Sequence, residues 1–187
     1  MTKIEIDSGG SPFPKPIVLI GSVVNDKPNF FTVAWFNRLS RSPNIWGAAV
    51  GKTKHTLRGI KENKTFSFNF PGADLVVKTD YCGIKSGKDV DKSELFDVFY
   101  GELEGAPMIQ ECPVTAECTL HKLIDMETHY LLLGEVKHIY SEARFMTDGV
   151  LDQKKLNLLL FTNPARQYWT LGEVVADAYS IGNKFEE

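Results

Sequence analysis

Between positions 65 and 70 the chain reads Thr65-Phe66-Ser67-Phe68-Asn69-Phe70, apolar at every second place, and Pro71-Gly72 follows at once. Such alternation sets the three phenylalanines on one face of an extended strand; a helix would scatter them, because its faces repeat every three or four residues. A strand here needs partners, and the neighbouring runs supply them. The stretch 17–24, behind the prolines at 12, 14 and 16, reads as a mostly buried strand. A turn over 25–29 leads to a second β-rich run, 30–36, and the spacing makes the two a hairpin. A third strand is expected over 45–50, where Gly47, Ala48 and Ala49 ask for a close neighbour on one face. Two long strands follow over 114–123 and 128–140, joined by 124–127, and a last one over 156–161. The predicted helices are short: 54 to about 62, 73 to about 79, and 91–99. Strands outnumber helices and follow one another through short turns. The expected fold is therefore mainly β, an antiparallel barrel that closes to remove exposed edges, with a few peripheral helices.

Composition narrows the function classes. A length of 187 residues with 43% hydrophobic and 24% charged residues fits one domain over 1–187; such a chain buries roughly 70% of its unfolded surface. A net charge of −3 argues against nucleic acid as a partner, since phosphate-backbone binding leaves a basic footprint over a whole domain. Local basic runs then point to a small anion. The three cysteines, Cys82, Cys112 and Cys118, are an odd number without a CxxC pair, which fits a reducing compartment better than a disulfide framework. No apolar run approaches the ~18 residues of a membrane span, and the first residues lack the form of a signal peptide. The expectation is a soluble, cytoplasmic protein without a membrane partner. No zinc spacing, Gly-rich dinucleotide fingerprint or Walker pattern occurs.

Two runs have the makings of an anion cradle. In 81–92, Gly83 and Gly87 allow close backbone approach, Lys85, Lys88 and Lys92 add positive charge, and Ser86 adds a hydroxyl. In 51–56, Thr53 is placed as the N-cap of the helix that follows, which would aim its free N–H groups and partial positive charge at the same point. By spacing alone, either run also fits a polar surface turn beside a solvated basic helix.

Taken together, Pro28-Asn29, Thr32-Val33-Ala34-Trp35-Phe36, the 52–56 run, Asn69-Phe70-Pro71, Cys82-Gly83, Ser86-Gly87, Asp89, Asp91-Lys92, the stretch 129–136 and Tyr179-Ser180-Ile181-Gly182 resemble the flavin reductase-like family, on its flavoredoxin side. The match runs in order over most of the chain. The resemblance implies an FMN-binding split barrel, Greek-key-like, whose site lies at a homodimer interface. It implies that Thr32, Val33, Ala34 and Trp35 offer backbone groups to the flavin ring. It places Lys52, Thr53, His55 and Thr56, with Ser86, Gly87 and Lys92, at the phosphate. His129 matches a histidine that lies near flavin and nicotinamide in the reductase branch; the usual Gly-Asp-His is here Glu127-Thr128-His129.

The residue chemistry suits such a ligand. FMN needs charge-assisted donors at its phosphate and a flat apolar slot at its ring. Trp35, Trp46, Tyr168 and Trp169 are candidate ring neighbours, of which Trp46 is assigned to the core. Cys82 reads as a small buried hydrophobe. Three functions remain open: an FMN-dependent oxidoreductase reduced by NAD(P)H, with His129 as its catalytic residue; a flavoredoxin-type carrier exchanging electrons with a redox protein; and a flavin carrier without redox role. FAD in place of FMN also stays open. A nicotinamide would bind transiently over the flavin.

Overall fold

The computed structural model describes residues 1–6 and 11–185. Its centre is an antiparallel sheet of β1 (Val18–Val24), β2 (Lys27–Val33), β3 (Phe36–Ser40), β4 (Ile45–Gly51), β5 (Thr65–Phe70), β6 (Val114–Met126) and β7 (His129–Ser141). The hydrogen-bonded order is β2-β1-β5-β6-β7-β4-β3. The sheet curls around a core that includes Val18, Ile20, Phe31, Val50, Phe66, Phe68 and Leu132, and helix α1 (Thr56–Asn63) adds Leu57 and Ile60 to it. The two edge strands, β2 and β3, are consecutive in the chain and do not pair with each other. Closure was expected; instead the ladder stops where the chain bends at Ala34 and Trp35, and the Trp35 carbonyl accepts from the Ala49 N–H of β4 at 2.8 Å. The barrel is split at that seam.

β5 is central in a stronger sense than its alternation showed. It pairs with β1 on one side and β6 on the other. Its phenylalanines at 66 and 68 are buried, and so are the polar Ser67 and Asn69. The second face lies under the segment carrying Ala106, Met108 and Ile109. Asn69 Nδ2 donates to the Leu19 carbonyl at 3.0 Å, and Asn69 Oδ1 accepts from Ile109 N–H at 2.9 Å; Ser67 Oγ donates to the Pro107 carbonyl. Buried polar groups persist only when bonded in this way. A second apolar cluster, with Leu19, Phe30, Leu75, Cys82, Phe96 and Ile109, fills this layer beneath α2 (Val76–Ile84).

Several expected boundaries move, each for a local reason. The first hairpin turns through two residues only, Asn25 and Asp26, at φ of 50° and 61°, so β2 begins at Lys27 and not at Phe30. Such a positive-φ pair matches the twist of a tight hairpin, and Pro28 is tolerated because β2 is an edge. The β6–β7 hairpin likewise turns on Glu127 and Thr128 alone, and its strands run on to Met126 and from His129. The helix expected over 91–99 is absent: the Asp91 carboxylate takes the Ser93 N–H at 2.9 Å and hydroxyl at 2.6 Å, and Val98–Phe99 pairs with Met108–Ile109. Side-chain bonds of this kind compete with helix. The strand expected over 156–161 is Leu160–Thr162, because Asp152 caps a turn over Gln153–Leu156 that ends on left-handed Asn157, and a further strand, Gln167–Trp169, pairs back onto it. Trp46 is half-buried against the core, among the rings of Phe36, Phe68 and Phe70.

Beyond Trp169 the chain runs exposed to residue 185, with Leu171, Val174, Val175, Tyr179 and Phe185 in solvent. Among the described residues no helix is long and apolar enough to cross a membrane.

Candidate functional site

The 51–56 and 81–92 runs meet. A cavity of about 150 Å³ is lined by Thr53, Lys54, His55 and Thr56 on one side and by Gly83, Ile84, Lys85, Ser86, Gly87 and Lys92 on the other, with Asn29 and Phe31 of β2 as its floor. What joins them is the sheet: β4 delivers the first run, while α2, packed on β2, delivers the second.

Thr53 is not the helix cap. The Lys54 N–H closes a turn onto the Gly51 carbonyl at 3.1 Å, and α1 starts at Thr56 with His55 at the cap position and no side-chain cap bond. Thr53 is left on the cavity wall. Thr56 is buried, and its hydroxyl accepts from Asn29 Nδ2 at 2.6 Å, which locks the helix start to β2. On the other wall α2 extends to Ile84, past the expected end near 79, so Cys82 and Gly83 belong to the helix and the loop proper is 85–92. Ser86 organises this loop: its carbonyl accepts from Asp89 and Val90 N–H at 3.0 and 3.1 Å, and its Oγ from Lys88 N–H at 3.2 Å. Gly87 has to be glycine, since a Cβ there would run into the Asn29 side chain.

The two lysines assigned to the phosphate stand in different surroundings. Lys92 is only 2% exposed; its Nζ donates to the carbonyls of Phe30 at 3.0 Å and Cys82 at 3.1 Å. Burial, helped by the charge of Lys54, pulls its pKa below the usual lysine value against an opposing effect of Cys82. No carboxylate among the described residues pairs with it. A buried cation bonded only to neutral carbonyls is costly, and an anion in the adjoining cavity would offset that cost. Lys52 instead binds Asp125 at 2.5 Å, stands over the Tyr130 ring at 5.1 Å, and does not line the cavity. Lys85, one of the cations expected at the cradle, does line it, and so does Lys54, which the sequence does not single out although it lies inside the first run.

The strand end 32–35 leads away from the cradle. Thr32 Oγ1 donates to the Thr79 carbonyl at 2.5 Å and Val33 is in the core. Ala34 and Trp35 line an apolar groove of about 460 Å³ with Phe13, Phe36, Leu39 and Leu131. Trp35 is half-exposed, and its ring centroid lies 5.1 Å from that of His129. His129 Nδ1 shares a hydrogen bond with the Thr128 hydroxyl at 2.9 Å, and the residue pairs with Gly51 across the β7–β4 ladder. The candidate histidine, Trp35 and the first cradle run are thereby neighbours. Tyr168 and Trp169 are engaged elsewhere, with Asp80 at 2.8 Å and Thr162 at 3.1 Å. Cys82 is fully buried and its thiol is pushed up to about 11, chiefly by that burial.

Sequence comparison decides the family, because the flavin reductase like domain matches residues 10–164. The chain belongs to the flavin reductase-like family. Among solved structures of that fold, flavoredoxin from Methanosarcina acetivorans is 42% identical, with a TM-score of 0.93 over 97% of this chain and 98% of its own. Flavoredoxin of Desulfovibrio vulgaris (Miyazaki F) is 29% identical, with a TM-score of 0.89 over 97% and 100%. An NADH-dependent FAD reductase of Streptomyces globisporus is 26% identical over 66% of this chain and 68% of its own length. The likeness thus lies on the flavoredoxin branch, and the mainly antiparallel split barrel is the fold of those neighbours.

Proposed function

We propose that this chain is an FMN-dependent flavoprotein oxidoreductase, one domain over its whole length, that holds the cofactor's phosphate in the cradle and its ring along 32–35. The observation that carries the reading is Lys92, a buried ammonium without a carboxylate partner among the described residues, set on the wall of a cavity rich in hydroxyls and cations. That donor set fits a phosphate dianion. Lys54, Lys85 and His55 with the hydroxyls of Thr53 and Ser86 would hold the phosphate, Thr56 and Asn29 would keep the two walls in register, and Lys52 would join only on leaving Asp125. When bound, the flavin supplies hydride and single-electron chemistry; the protein orients it and sets the charge around it. His129 and Trp35 would bound the space over the ring, where a nicotinamide donor would approach.

A second reading, favoured by the 42% identity to a flavoredoxin and by Thr128 where the family has aspartate, is a carrier that exchanges electrons with a redox protein. Either reading places a second copy over the half-exposed Trp35 and its apolar groove, forming a homodimer. The cytoplasm suits three free cysteines, all buried. The test is an absorbance spectrum of the purified protein, heat release of the yellow compound, and anaerobic mixing with NADH or NADPH. FMN at about one per chain supports the cradle assignment. A colourless protein that fails to take up FMN refutes it. Bleaching by the nicotinamide selects the reductase, and its absence the carrier.

A further inference from the structure

Past Trp169 the chain keeps a defined shape with little support from its own body. The segment 170–185 ends in a short helical turn, Ile181–Lys184. Its backbone bonds run from Ile181 N–H to the Asp177 carbonyl at 3.3 Å, from Asn183 to Ser180 at 3.0 Å and from Phe185 to Gly182 at 3.1 Å, all within the segment. Among the described residues one side-chain bond ties it back, Lys154 Nζ to Glu173 at 2.7 Å. Val174, Val175, Tyr179 and Phe185 are three-quarters or more exposed. Large apolar side chains gathered in water in this way mark an interaction surface.

The open groove at Ala34 and Trp35 has matching properties, and no residue of 170–185 lines it in the chain itself. Its walls are apolar, with Phe13, Trp35, Phe36, Leu39 and Leu131, but they also include Lys15. Lys15 is 7% exposed, its Nζ stands 5.7 Å over the Phe13 ring, and no carboxylate among the described residues pairs with it. On the tail, Asp177 is exposed and pairs with no cation among the described residues. The tail also starts beside the groove: Trp169 pairs with Leu160, and Leu160 with Pro16, so two strand spacings, about 10 Å, separate its base from the groove's rim. From there an extended 170–185 reaches on the order of 50 Å, enough to cross onto a neighbouring molecule. We propose that the tail of each chain crosses to a second copy and lies in that copy's groove, with Val175 and Tyr179 against the apolar walls and Asp177 paired with Lys15. This step rests on the homodimer proposed above and names the part of the second copy that covers Trp35. Two-fold symmetry makes the exchange reciprocal. Burying Val174, Val175, Tyr179 and Phe185 removes roughly 500 Å² from each tail; two tails with the groove walls they cover come to the ~1,200–2,000 Å² of specific interfaces.

The experiment uses the full chain and has two readouts. In the first, photoreactive benzoylphenylalanine replaces Tyr179, heavy-nitrogen-labelled and unlabelled proteins are mixed until subunits exchange, and mass spectrometry after irradiation identifies the joined peptides. Cross-links from position 179 to the peptides carrying Phe13 and Lys15 or Phe36 and Leu39, joining labelled with unlabelled chain, are the expected result. In the second, light scattering over a dilution series compares the wild type with Val175→Asp and Asp177→Lys, both at exposed positions where folding is not at stake. Each variant should weaken the dimer roughly tenfold or more. Unchanged dissociation of both variants, or a dimeric wild type whose cross-links stay within one chain, go to another surface or do not form, would overturn the exchanged tail and leave the dimer standing. A wild type that is monomeric at micromolar concentration would bring down the dimer itself.

Discussion

At the cradle, Lys92 is 2% exposed, and Asn29 and Thr56 are buried and bonded to each other; in the groove at Ala34 and Trp35, Trp35 is 51% exposed and rests on His129 at the surface. The first region is built within one chain: β2 gives Asn29, α1 gives Thr56 and the loop after α2 gives Lys92, each held by a bond to another element. The second is an apolar groove that lies open on the surface. The difference separates two sources of affinity. On the proposed flavin reading, charge and bonded donors for the phosphate are set by the chain's own fold, whereas apolar cover for the ring depends on what comes to lie on the groove.

The contrast breaks most readily at Lys92. Lys92→Met should weaken FMN binding roughly tenfold to a hundredfold, since a bond to a charged group contributes about 1.5–3 kcal/mol, and should leave riboflavin little changed. Equal losses for both ligands, in fluorescence titrations, would show that Lys92 does not read the phosphate. Alkali tests the buried thiols of both apolar clusters. Burial raises the Cys82 thiol to about 11 and lifts Cys112 and Cys118 well above the ordinary value. As pH rises through 9 the unfolded chain therefore gives up these protons while the folded chain keeps them, so stability falls, by about 1.4 kcal/mol per pH unit for each thiol. Urea midpoints between pH 8 and 10.5 should show this fall, and Cys82→Ala should make it less steep by one thiol's share; a midpoint constant with pH would contradict the burial.

Trp35→Ala addresses the ring end. It should weaken FMN and riboflavin alike, by about 0.5–1.5 kcal/mol, and lower the dimer fraction seen by light scattering. A loss confined to FMN would place Trp35 at the phosphate and erase the comparison. Smallest of all, Lys52→Ala should change FMN affinity by about twofold or less, because its ammonium is occupied by Asp125 at the surface. A loss as large as that of Lys92→Met would mean that Lys52 swings to the ligand on binding.

Much of this was legible in residue order. The alternation at 65–70 announced a strand, and glycines, lysines and hydroxyls marked the two runs that meet at the cavity, because those signals are local. Closure failed as an expectation, since the seam at Ala34 and Trp35 depends on a bond to Ala49 fourteen residues on. Thr53 resembled a cap by type and position, yet a turn from Gly51 to Lys54 displaced the helix start to Thr56. Asn29 looked like a turn residue; only the two-residue hairpin at 25–26 turned it into the floor of the cavity.

By itself the sequence determined that this chain is an antiparallel β protein with two basic, glycine-containing runs suited to an anion, since strand period, turn residues and charge are properties of short stretches. The tertiary structure alone decided which lysine is buried against carbonyls and which is tied to Asp125, that both faces of β5 are covered, and that the apolar side chains beyond Trp169 are left uncovered. Burial and pairing are set by residues dozens of positions away, and no short stretch carries that information.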